Sequence, residues 1–347
     1  MKRSLASPNG GDHKQVTERE RNKRKIAVLP TFIVGGAFRS GTTSIYQWLR
    51  QDERVYMPSI KETNFFTGYR SPPTGPEDVH VLTGEELRSS ALGRQVLGAG
   101  IVPTWEQYVE LFQQGAAHQH RGEASPAYLY SRTAAEEIAR AIPGCKIVLV
   151  LRNPADRAYS SWRFLTAAGR ETLSFVQALA QETSRLDEGW EYIWALRGAS
   201  MYSDAVARFL GAFEPSRVRI WLHERVTRDP ASFYRELEAF LGMHGSFSPR
   251  FTKENSWYES FPRSQLWNVA ANTGRLLVGR DRAQSIRRRI RQAPMIEELP
   301  DRLREQLLRE FTEDISALDS LVPGLEASKE WLYPTVPHLP RSAAPTR

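Results

Sequence analysis

The 347-residue chain is 41% hydrophobic and 25% charged, values of an ordinary packed protein that exclude a disordered or fibrous chain and suit one sizeable α/β domain. Its single cysteine, Cys145, excludes an internal disulfide, and no apolar run nears the roughly 18 residues of a bilayer span. The net charge of +7 is uneven: residues 1–25 hold eight Lys/Arg against three Asp/Glu, Arg275–Arg291 hold seven Arg against Asp281 alone, and the remainder is net acidic.

Residues 1–28 are polar and basic and lack the apolar centre of a signal peptide, so a flexible tail on a cytoplasmic protein is expected. The first strand lies in "AVLPTFIVGG" and runs into "FIVGGAFRSGTTSIYQWL", Phe32 to Leu49, which reads as strand, glycine-containing turn and helix. That is the geometry of a phosphate-binding loop. Gly36 to Thr43 keep the glycines and hydroxyls of such a loop, but Thr42 stands where an ATPase carries lysine, and Arg39 supplies a cation inside the loop. The backbone N–H cradle and the helix N-terminus would still hold an anion.

"KETNFF", Lys61 to Phe66, offers Glu62 either as a general base or as a plain partner of Lys61. The Pro- and Gly-rich run from Arg70 to Glu86 predicts a surface loop, and the polar run "AAHQHRGE" predicts solvated His118 and His120. "KIVLVLRNPADRAYSSW", Lys146 to Trp162, predicts a buried strand and a helix. An ATPase strand in this position tends to end in an aspartate that helps hold magnesium, whereas this one ends in Arg152. A cation there binds a second anion and repels a divalent metal, so two anions and no metal are expected, with Ser160 adding a hydroxyl to the second. Trp190, Tyr192 and Trp194 could form an aromatic platform, although packing is preferred.

A third strand, "RVRIWLH", helices in "MYSDAVARFLGAF" and "ASFYRELEAFLGM", and a last helix in "LPDRLREQLLREFTEDISALDSL" complete the pattern. Arg275–Arg291 is either a basic helix facing a polyanion or anionic membrane, or a solvated face. Alternating strands and helices predict a P-loop-like three-layer α/β domain: a central, mainly parallel sheet flanked by helices, with any ligand along one edge.

At this point the residues resemble a known family. "FIVGGAFRSGTTSIYQWL" looks like the 5′-phosphosulfate loop, and "LRNPADRAYSSW" the 3′-phosphate motif, of sulfotransferases that use 3′-phosphoadenylyl sulfate (PAPS). "KETNFF", "GEASPAYLYS" and "RVTRDPASFYRELEAFLGM" are similar to the heparan sulfate sulfotransferase branch and its bacterial relatives. The resemblance implies one sulfotransferase domain over residues 29–335, with a C-terminal tail at 336–347. It implies that Arg39, Ser40, Gly41, Thr42, Thr43 and Ser44 surround the 5′-phosphosulfate, that Arg152 and Ser160 bind the 3′-phosphate, and that Glu62 is the catalytic base. Arg39 is then the catalytic cation, with Lys253 and Asn255 as phosphate contacts from a late loop. Ala124 departs from the pattern, since heparan-type enzymes carry lysine there; Lys61 or Lys253 could replace it. A histidine base would fall to His118 or His120.

The acceptor implied is a hydroxyl of a glycan, glycolipid or small natural product, chosen by residues 70–97 and 170–203. Nucleic acid is not expected, because no base-reading module is present. Two other readings stay open: a P-loop kinase, against which Thr42 and Arg152 count, and a non-catalytic protein that binds an anionic ligand.

Overall fold

The computed structural model describes residues 27–67, 102, 104–167, 170–190, 192–251 and 298–333. Lys253, Asn255, Arg275–Arg291, the Arg70–Glu86 run and nearly all of both tails lie outside the described residues. Among the described residues no helix is long and apolar enough to cross a membrane.

Five parallel strands make one sheet: β1 Phe32–Gly36, β2 Val55–Tyr56, β3 His120–Ala124, β4 Lys146–Leu151 and β5 Val218–Leu222, in the order β2-β3-β1-β4-β5. β1 is therefore central, and all five of its residues are buried. Successive side chains alternate between two cores, as the pleat requires. Phe32, Val34, Val148, Val150 and Trp221 enter one; Ile33, Ile147, Leu149, Leu151, Ile220 and Leu222 enter the other. A sheet so buried on both faces must be covered by helices on both, which gives three layers. Gly122 permits close approach of β3, since a Cβ there would fall 2.2 Å from Phe32 Cζ and 2.4 Å from Met57 Sδ.

The helices follow the strands. They are α1 Thr42–Leu49, α2 Trp105–Glu110, α3 Ala127–Tyr130, α4 Ala134–Ala141, α5 Pro154–Ala167, α6 Phe175–Ala180, α7 Glu182–Asp187, α8 Ser203–Ala212, α9 His223–Arg228, α10 Pro230–Leu241, α11 Asp301–Leu321 and α12 Ala327–Trp331. One face is covered by α1 and α10, through Ile45, Trp48, Leu49, Phe233 and Leu237. Each such side chain stabilises the fold by about 1.5–3 kcal/mol on burial. The opposite face carries the apolar stripes of α4, α8 and α11, with Ile138, Phe209, Phe311 and Ile315 fully buried or nearly so. Asp314 of α11 ties these layers together by accepting the N–H groups of Tyr202 and Ser203 at 2.7 and 3.0 Å.

The expected strands and long helices are all present, and β2 and β3 join them from segments not expected to be extended. His120 starts β3 and is 7% exposed, so it is not solvated as its polar surroundings suggested. Trp194 is likewise buried at 3%, in a cluster with Phe164 and Ile193 that bears out packing over a platform at that position.

Candidate functional site

The loop leaving β1 is shaped by neighbours on both sides. The Ala37 N–H donates to the Val150 carbonyl at 2.7 Å, so the loop starts from the end of β4. Arg39 (φ 70°) and Gly41 (φ 85°) then adopt left-handed backbone. Glycine suits the second position twice over: it carries no penalty at positive φ, and a Cβ would lie 3.1 Å from His223 Nδ1. Nδ1 of His223 itself lies 3.1 Å from the Ser40 carbonyl. A carbonyl only accepts, so this nitrogen carries the proton, and His223, at the junction of β5 and α9, braces the loop from behind.

The turn opens straight into α1, whose N-cap, Gly41, has no side chain to satisfy the first amides. Around those amides stand Ser40 (0% exposed), Thr42 and Ser44, all buried, with Thr43 exposed. Among the described residues the Ser40 hydroxyl has no hydrogen-bond partner. Free helix-end donors beside an orphaned buried hydroxyl fit an anionic group, which would satisfy both.

The Arg39 side chain runs to α5. Its Nε donates to Ser160 Oγ at 3.1 Å, and its guanidinium lies over the Phe164 ring at 5.2 Å and the Phe38 ring at 5.9 Å. Arg152, at the end of β4, donates from Nη1 to the Arg39 carbonyl at 3.1 Å. Arg39, Arg152 and Ser160 therefore form one hydrogen-bonded chain along the C-terminal edge of β1 and β4. The sequence "RNPAD" explains how Arg152 and Ser160 come to share it. Asn153 Oδ1 accepts the N–H groups of Ala155 and Asp156 at 3.1 and 3.3 Å, Pro154 opens the first turn, and α5 carries Ser160 back to the loop.

Behind Arg152 the packing is polar and buried. Tyr202 donates to its carbonyl at 2.9 Å. Glu224 accepts the Asn153 N–H at 2.8 Å and the Trp331 indole N–H at 2.9 Å, and burial pushes its carboxyl above the usual range. Arg157, fully buried on α5, forms no ion pair with a carboxylate among the described residues. It donates to the carbonyls of Ala195 and Leu196 and to the hydroxyls of Ser161 and Ser200 at 2.6–3.2 Å, fastening residues 195–200 to the helix. Just before that segment Tyr192 meets Phe38 of the loop edge-on at 6.0 Å and stacks on Tyr130 at 5.6 Å.

Glu62 stands at the same sheet edge beside the end of β3. Its N–H donates to the Ala124 carbonyl at 2.9 Å, it has φ 62°, and its carboxylate is paired with the Lys61 ammonium. Left-handed backbone at a non-glycine residue costs on the order of 1–2 kcal/mol, which the surroundings must offset. Ala124 is buried at 1% exposure, and Lys61 lies against Glu62, whereas Lys253 is outside the described residues. His118 and His120 sit at the other end of β3, about 13 Å from its C-terminal edge at ~3.3 Å per residue. That position counts against either as a base.

One buried group next to the Glu62 segment is not legible in the sequence. Glu123, 0% exposed, accepts hydroxyl hydrogens from Thr63 (2.6 Å), Ser125 (2.7 Å) and Tyr128 (2.6 Å) on Oε1 and from Tyr108 (2.5 Å) on Oε2. Burial, and then the negative charge of Glu123, hold the phenols of Tyr108 and Tyr128 well above their ordinary pKa. The run "GEASPAY" showed a carboxylate among hydroxyls, but not that the hydroxyls of Thr63 and Tyr108 would join it.

Comparison with known proteins agrees with this geometry. The sulfotransferase family matches residues 30–248. Among curated proteins, the chain is 27% identical over 244 residues to human bifunctional heparan sulfate N-deacetylase/N-sulfotransferase 3, covering 65% of this chain and 24% of that protein. It is also 27% identical over 140 residues to the membrane-associated sulfotransferase kil1 of Dictyostelium discoideum, covering 40% of this chain and 24% of that one. The chain thus spans about a quarter of the length of these relatives. A solved sulfotransferase from Alicyclobacillus acidocaldarius superposes with a TM-score of 0.63 at 29% identity, covering 84% of this chain and 95% of that one.

Proposed function

The chain belongs to the sulfotransferase family, and from that premise we propose that it transfers a sulfuryl group from PAPS to a hydroxyl of a glycan, glycolipid or small natural product, with Glu62 as general base. The observation that carries the reading is the convergence of two anion-binding elements: the uncapped start of α1 with its orphaned Ser40 hydroxyl, and the chain joining Arg152, Arg39 and Ser160. A nucleotide with phosphates on both the 5′ and 3′ sides satisfies both.

PAPS, when bound, supplies an activated sulfuryl group on its 5′-phosphate. Ser40, Gly41, Thr42, Thr43 and Ser44 would hold that end, and Arg152 and Ser160 the 3′-phosphate. Arg39, linked to both, would meet charge left on the departing phosphate, and the loop N–H groups would share it. Glu62 would take the acceptor proton as the new oxygen–sulfur bond forms and the old one breaks, with the electron pair leaving on the phosphate; such help is worth about 10²–10⁴-fold. Release from Lys61 is part of that role, because the ammonium occupies the carboxylate that has to reach the acceptor proton. Lys253 and Asn255 remain proposed phosphate contacts, residues 29–335 a proposed single domain, and the cytoplasm the proposed location.

Calorimetric titration with 3′,5′-ADP, 5′-AMP and Mg·ATP tests the reading without knowledge of the acceptor. Magnesium-independent binding of 3′,5′-ADP in clear preference to the others is expected. Preference for Mg·ATP would overturn it in favour of a kinase, and turnover of PAPS unchanged by Glu62→Gln would leave the donor but remove the base.

A further inference from the structure

We infer that Glu123 is a positioning residue for Glu62, acting through the hydroxyls of Thr63 and Ser125; the inference rests on Glu62 being the base. A carboxylate without an ionic partner is seldom fully buried, and none of the described Lys or Arg residues forms an ion pair with Glu123. Four hydroxyl donors take that place.

The hydrogens settle what this arrangement does. Serine and threonine have one hydroxyl hydrogen each, and in Thr63 and Ser125 it is spent on Glu123 Oε1. Their lone pairs then face the backbone: Ser125 Oγ accepts the Asn64 N–H at 3.2 Å, and Thr63 Oγ1 accepts the Phe65 N–H at 3.5 Å. With the Glu62 N–H on the Ala124 carbonyl, the segment following Glu62 is tied at three points to residues 123–125 and to its own turn. It needs such a hold, because both Glu62 and Asn64 (φ 51°) are left-handed without being glycine. Tyr108 grips the other carboxylate oxygen from α2 and touches none of these backbone groups through its hydroxyl.

This difference between donors supplies the test. Thr63→Val, Ser125→Ala and Tyr108→Phe each delete one hydroxyl from the same carboxylate, and only the first two lie between it and the Glu62 segment. Each full-length variant is measured for 3′,5′-ADP affinity, for conversion of radiolabelled PAPS to 3′,5′-ADP and sulfate with water as acceptor, and for amide hydrogen exchange at residues 62–65. Thr63→Val and Ser125→Ala are expected to lose about 10-fold or more in turnover, with nucleotide affinity kept within about 2-fold and exchange at 62–65 accelerated. Tyr108→Phe is expected to retain turnover within about 3-fold and protection at 62–65, whatever it costs in melting temperature. Equal turnover losses in all three, or normal turnover and protection in Thr63→Val and Ser125→Ala, would overturn the inference. Glu62→Gln in the same series separates the two readings. Retained turnover there removes the base itself, whereas loss there with active Thr63→Val and Ser125→Ala removes only the positioning role.

Discussion

Replacing Arg152 with alanine separates the two jobs its guanidinium holds. Its Nη1 donates to the Arg39 carbonyl at 3.1 Å and thereby steadies the left-handed turn of the loop. That neutral acceptor makes the bond worth about 0.5–1.5 kcal/mol, a loss of roughly 2- to 13-fold that every nucleotide using the loop should suffer alike. Its second job is contact with the 3′-phosphate, a hydrogen bond between charges worth about 1.5–3 kcal/mol, or roughly a further 10- to 150-fold. Calorimetry of Arg152→Ala should therefore show a modest loss for 5′-AMP and a much larger one for 3′,5′-ADP. Ser160→Ala should follow the same pattern with a smaller gap, because a neutral hydroxyl contributes less. Equal losses for the two nucleotides in Arg152→Ala would refute the reasoning: the arginine would then only shape the loop, and the 3′-phosphate would be held elsewhere.

Glu62→Gln should keep the 3′,5′-ADP affinity of the parent and lose about 10²–10⁴-fold in turnover, read by PAPS consumption with a hydroxyl acceptor. Gly41→Ala should cost about 1–2 kcal/mol in urea unfolding from its φ of 85°; most of that loss should persist in a His223→Ala background, which clears the 3.1 Å contact but not the backbone strain. Glu224 gives a dependence on pH. Burial raises its folded pKa, so its stabilising contribution is complete below the unfolded value near about 4.3 and is lost as the pH rises through the folded value. Thermal melts should show Glu224→Gln gaining on the parent as the pH rises from about 4.3 towards neutrality, and parallel curves would place the buried charge elsewhere.

The parts of the molecule most legible in its sequence are those governed by local pattern. Phe32–Gly36, Lys146–Leu151 and Val218–Leu222 are short apolar runs that strands buried on both faces require, and the glycines and hydroxyls at 36–44 mark a phosphate-type loop wherever they follow a strand. β3 is hidden because "HRGEA" carries three ionisable side chains, and its carboxylate is made tolerable by hydroxyls from residues 63, 108, 125 and 128, which only the fold assembles. His223 and Arg157 escaped notice for a similar reason. Each acts on backbone carbonyls distant in sequence, at Ser40 and at Ala195 and Leu196, and carbonyls leave no trace in a residue pattern. The direction taken by the Arg39 side chain depends on Phe164 and Ser160, one helix away, and could not be read from the loop.

The order of strands also governs how the chain is made. β1 is the centre of the sheet, yet Arg39 meets Arg152 across 113 residues and Ser160 across 121. At about 5–20 residues per second, a ribosome that has finished the loop needs roughly 6 to 23 s more to reach Arg152. Through most of that interval an apolar strand meant to be enclosed on both sides has neither of its neighbours, and β4 is still missing after β3 has been made. Long-range parallel pairing is slow for the same reason. Nascent chains released before about residue 160 should be clients of chaperones and unable to retain nucleotide, whereas chains carried past it can acquire the pocket during synthesis.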